Sequence, residues 1–193
     1  MKTITKVYDS YEKAHQVVDE LQAAGIAMAS ISVLASEQAV SKYEDAAGTT
    51  EAGPGAGLGA TVGGAAGLLA GLGLLAIPGL GPIVATGWLA STVAGAAAGG
   101  ATGGILGSFM AAGVPEDHAH VYSESVRRGA TVVSVRAEDY NIATVQSILD
   151  NFDPIDPVKQ GENYRQSGWN EFDPQAGPYE STRAAAERDR HFI

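Results

Sequence analysis

The 193-residue chain contains no cysteine. A disulfide framework, a thiolate zinc site and a cysteine nucleophile are therefore excluded. Basic residues are scarce too: Lys plus Arg is 12 against 22 Asp plus Glu, a formal charge of −10. With no Lys/Arg cluster, the chain is a poor match for a nucleic-acid phosphate backbone. Four histidines, at 15, 118, 120 and 191, give little material for a metal centre. The start, MKTITKVYDSYEK, has no apolar run behind its lysines and does not read as a signal peptide. The expectation is retention in the cytoplasm, or insertion through an internal segment.

Glycine is abundant, and 19 of the 25 glycines lie between 53 and 113. No charged residue occurs between Glu51 and Glu116. Composition thus divides the chain into 1–36, an acidic linker 37–53, an uncharged block 54–113, a second mixed region 114–152 and a polar tail 153–193.

The first region reads strand, helix, strand. Thr3 to Val7 alternate polar and apolar, the period of a half-buried strand. Asp9 is placed to cap the next helix, with Glu12 completing a capping box. Ala14, Val17, Val18 and Leu21 form one helical stripe, and Gly25 suits the C′ position. Ile31, Val33 and Leu34 give the second strand of a βαβ unit. The linker, with Glu37, Glu44, Asp45 and Glu51, reads as exposed and loosely ordered.

In the uncharged block, Gly55, Gly59, Gly63, Gly67 and Gly71 form a four-residue ladder. A second ladder, Gly95, Gly99, Gly103 and Gly107, extends backward through Ser91 and Gly87. On a helix, positions four apart share a face, so each ladder is a groove without side chains. Between them, Pro78, Gly79, Gly81 and Pro82 mark a turn. The expectation is a hairpin of two apolar helices, 57–77 and 82–112, each about 30 Å or longer at ~1.5 Å per residue.

The fourth region reads helix, strand, helix. Pro115 suits a first helical position, followed by acidic Glu116 and Asp117. Thr131–Arg136 is the most β-branched run and reads as a central strand, beside Ile4–Val7 or Ile31–Leu34. Asp139 is placed to cap a last helix bearing Ile142, Val145, Leu149 and Phe152. Beyond it the Asp-Pro pairs at 153–154 and 156–157 break structure, and no core pattern follows. The tail aromatics Tyr164, Trp169, Phe172 and Tyr179 read as anchors for a partner or a neighbouring copy.

Candidate chemistry is thin. The glycines at 53, 55, 57 and 59 lack a following Gly-Lys-Ser/Thr and a preceding strand, so they do not read as a phosphate loop. His118 and His120 point apart on a helix and do not form a metal pair. Ser36, Ser123 and Ser134 have no nucleophile-elbow context. No catalytic, cofactor-binding or metal residue is assigned.

The layout resembles the YflT-like general stress proteins of bacteria. The likeness rests on DSYEKAHQVVDELQAAGI running into ISVLAS, on LLAIPGLGPIVATGWLA, and on VPEDHAHVYSESVRRGATVVSVRA, together about residues 3–152. It implies a small α+β domain interrupted by a glycine-zipper hairpin, and a link to general stress responses. The fold expected is ferredoxin-like, with βαβ and αβα joined in one small mixed sheet. The function expected is non-catalytic self-association through the ladders at the inner membrane, with transmembrane helices and a cytoplasmic domain. The alternative is a soluble homo-oligomeric scaffold or binding module with the hairpins in a buried oligomer core. Burial of the hairpin against its own sheet ranks lowest, because two long helices exceed what a small domain can cover.

Overall fold

The computed structural model describes residues 1–47, 74–77, 80–91, 104–176 and 179. In chain order the elements are β1 (Lys2–Tyr8), α1 (Tyr11–Ala23), a 3₁₀ turn at Met28–Ser30, β2 (Ile31–Ser36) and α2 (Glu37–Ala47). There follow β3 (Leu74–Ile77), β4 (Gly81–Ala85), α3 (Gly104–Ala111), α4 (Glu116–Arg127), β5 (Thr131–Ala137), α5 (Ile142–Asp150) and α6 (Pro157–Gln166).

The sheet has the order β1-β5-β2-β4-β3. The valine strand β5 lies beside both candidate neighbours at once, pairing Ile4 with Val135 on one side and Val33 with Val133 on the other. All four ladders are antiparallel, so the sheet is not the mixed one expected. The class is α+β, but the expected three-strand plan gains two further strands.

Those strands come from the uncharged block, where they replace the facing ends of the two expected helices. Leu74–Ile77 and Gly81–Ala85 are β3 and β4, and the Pro-Gly segment between them joins two strands rather than two helices. β4 pairs with β2 through Leu34↔Ala85, Ala35↔Val84 and Ser36↔Ile83. An apolar run of four or five residues with Ile83-Val84 at its centre fits a strand buried on both faces as well as a helix. The chain is helical again at 88–91 and in α3. The rest of the expected helices, 57–73 and 92–103, lies outside the described residues.

Helices cover both faces of the sheet. On one, α1, α2 and α5 enclose a core with Ile4, Tyr8, Val17, Leu21, Val33, Val133 and Leu149. On the other, Val7, Leu34, Ile83 and Val132 meet Ile105, Phe109, Ala119, Tyr122 and Val126 from α3 and α4. Ile83, Leu89, Ile105 and Phe109 are thus buried in the chain's own core, the placement ranked lowest from sequence.

Local chemistry corrects several boundaries. The cap of α1 is Ser10, whose Oγ accepts from Lys13 N, while Asp9 pairs with Lys13 Nζ at 3.1 Å. Gly25 follows the helix at φ 82°, as expected of C′. Pro115 is the N-cap of α4 rather than its first residue. Asn141 occupies the N-cap of α5, and Asp139 binds the N-terminal ammonium at 3.1 Å. The expected loose linker begins with helix α2, whose Val40 is fully buried and whose Tyr43 ring packs 5.2 Å from Tyr11.

Candidate interaction site

The tail, expected to lack core residues, is part of the core. Asp156 caps α6 by accepting from Val158 N and Lys159 N, with Pro157 at the first helical position. α6 packs against α4, and Gly161 faces Val121 closely enough that an added Cβ would lie 3.1 Å from a valine methyl. Tyr164 is 7% exposed and Phe172 5%. Trp169 stands edge-on to Tyr164 at 5.5 Å. Phe172 N–H donates to Nδ1 of His120 at 3.2 Å, and Ile155 N–H donates to the Val7 carbonyl at 2.7 Å. The predicted docking residues Tyr164, Trp169 and Phe172 therefore dock on the chain itself.

Beneath them lies a cluster that sequence reasoning did not single out. Glu124 on α4 is completely buried. Its Oε2 accepts from Arg127 Nε at 2.8 Å, and its Oε1 from Arg127 Nη2 at 2.8 Å and Arg128 Nε at 2.6 Å. Two guanidiniums on one carboxylate leave positive charge over, and aromatic faces take it. The Arg128 guanidinium carbon sits 4.2 Å from the Tyr164 ring centre and 4.7 Å from that of Tyr179. The signal was present as a glutamate three and four residues before two arginines, the spacing at which helical side chains meet. Tyr179 is 37% exposed, so this last aromatic closes the cluster from its outer side.

The ladder glycines separate into described and undescribed. Gly55, Gly59, Gly63, Gly67, Gly71, Gly95, Gly99 and Gly103 lie outside the described residues, as do Pro78 and Gly79. Gly81 and Pro82 begin β4. Gly87 serves a close turn rather than a helix face. At φ 73° it lies against β2, where an added Cβ would collide with the Ile31 carbonyl and Ser32 Oγ. Next to it Leu89 N–H donates to Ser32 Oγ at 3.2 Å, and the Trp88 ring carries the Arg136 guanidinium at 3.9 Å. Gly107 fits the ladder reading better. Ile105, Ser108 and Phe109 of α3 are buried, whereas a Cβ at Gly107 would meet nothing within 4 Å, and Met110, on the same side, is 45% exposed.

A groove of about 250 Å³ runs along β1 from Lys2 to Lys6, bordered by the α3–α4 connection, His118, Tyr122 and Gln146. Burial and the nearby Asp156 push the Tyr122 hydroxyl up to about 12. Tyr8 is raised further, first by burial and then by Asp150, while its hydroxyl donates to the Leu149 carbonyl at 2.8 Å. Among the described residues no group of three or more His, Asp or Glu could hold a metal ion. Nor is any described helix long and apolar enough to cross a membrane.

Comparison with known proteins bears on the first part of the chain. No curated protein and no solved structure matches it. Residues 3–75 match the family model of the heat induced stress protein YflT domain. That span takes in β1, α1, β2 and α2, and over it the chain is similar to the YflT family of heat-induced stress proteins.

Proposed function

We propose that this stress protein works without catalysis, by associating with copies of itself through its uncharged central segment. The observation that carries the reading is the outer side of α3. Gly107 is open and Met110 exposed on a helix without a charged residue, and in the sequence Gly107 continues the four-residue spacing of the glycines at 95, 99 and 103. Such a row lets a second backbone approach closely, where dispersion and Cα–H···O contacts add. A side chain as large as leucine at that position would hold the helices apart.

A bilayer-spanning hairpin fits less well than it did from sequence. Its expected tip, 78–82, lies between segments that are bonded into the sheet as strands. Light scattering on the detergent-free full chain tests the proposal. A mass that is a multiple of 19.7 kDa, reduced by Gly107→Leu, is expected. A monomer, or an unchanged mass in Gly107→Leu, Gly63→Leu and Gly99→Leu alike, refutes it. Protein that resists alkaline carbonate and needs detergent places the same segment in lipid instead.

A further inference from the structure

We propose that the outer edge of β1 binds an extended acidic peptide as a sixth strand. Among the described residues β1 is an outermost strand and pairs only with β5. Along a strand, backbone groups point alternately to either side. The Val7 carbonyl points away from β5, because it accepts the Ile155 N–H. By the same alternation, the N–H and C=O of Thr3 and Thr5 point to the open side. The chain thus already bonds a non-helical segment to this edge at one position and leaves the next two without a strand partner among the described residues.

The groove along this edge gives the incoming strand two walls. Lys2 and Lys6 share a face with Ile4, toward α5 and Gln146, while Thr3 and Thr5 share the opposite face with Val7, toward Val114 and Tyr122. Its lining includes Lys2, Lys6 and His118 but no carboxylate, in a chain whose acids outnumber its bases 22 to 12. Lys6 is held by Asp150 at 2.7 Å, which leaves Lys2 as the charge on offer. A peptide in β conformation would direct every second side chain to each wall. The fitting sequence therefore alternates acidic residues, toward the lysines, with small apolar ones, toward Val114 and Tyr122. Backbone bonds supply affinity and the alternation supplies selectivity, as in other strand-addition interfaces.

The test is calorimetric titration of the full chain with a synthetic seven-residue peptide alternating glutamate and valine. Saturable binding that weakens with added salt is expected. A peptide with lysine in place of glutamate should bind at least tenfold more weakly. Thr5→Pro removes an outward N–H while sparing the ladder to β5, the edge position at which a strand tolerates proline. Losing that one bond should weaken binding about tenfold. Lys2→Glu, an exposed change that leaves the backbone intact, should weaken it severalfold even if Thr5→Pro disturbs the strand. Absence of saturable binding, equal binding of the lysine peptide, or indifference to both substitutions overturns the proposal.

Discussion

Arg128 Nε lies 2.6 Å from an oxygen of Glu124, whose carboxylate has no contact with solvent. A buried carboxylate is tolerated only when its partners replace water, and here two arginines do so. Glu124→Gln keeps the shape but leaves two guanidiniums facing a neutral amide. The expected loss is about 3 kcal/mol of folding stability, at the lower end for breaking a buried pair. The midpoint of urea unfolding reads it.

Removing residues 154–193 follows from the same region. From sequence the deletion looks harmless; in the structure it strips Tyr164 and Phe172 from α4 and frees the Val7 carbonyl. Each large side chain contributes about 1.5–3 kcal/mol when buried. A fall of several kcal/mol is expected, with increased binding of a hydrophobic dye. Unchanged cooperative unfolding would contradict the placement of the tail.

Gly87→Ala combines a positive φ with a collision against β2 backbone. A loss of at least 1 kcal/mol is expected, because the neighbour that must yield is a strand rather than a flexible side chain. Gly129, also at positive φ but with no atom near its missing Cβ, is the control. Alanine there should cost less, from the backbone strain alone.

The strands and helices with clear periodicity, β1, α1, β2, α4, β5 and α5, were legible in the sequence because each couples one repeat to one buried face. What failed was ambiguity of period or of charge. LLAI and GPIVA are too short to show a repeat, and β-branched Ile83 and Val84 were the only local hint of strand. α2 was obscured by its charges, although Val40 and Tyr43, three apart, mark a buried side. α6 buries Gly161 and Tyr164, a pair that hydropathy does not flag. The cluster on α4 was readable as charge spacing, but its burial arises only when the tail folds over it.

Alkaline pH supplies a further prediction. Tyr122 is held near 12 by burial, above its unfolded value of 10.0. Between those values the folded chain retains a proton that the unfolded chain has lost. Stability is therefore complete below pH 10 and falls as pH rises, by about 1.4 kcal/mol per unit for each such tyrosine. Tyr8, raised by the same cause, adds to the slope. Tyrosinate absorbance should rise together with unfolding, and Tyr122→Phe should make the decline with pH shallower.

The position of β5 between β1 and β2 governs the order in which the protein can be completed during synthesis. The strand partner of β1 among the described residues lies at residues 131–137, more than a hundred positions downstream. While the ribosome translates the glycine-rich stretch, β1 therefore waits with neither edge paired to a strand and its apolar side unburied. The stretch that matches the family model, 3–75, ends before that partner is made, so a nascent chain of this architecture spends most of its translation needing protection from aggregation.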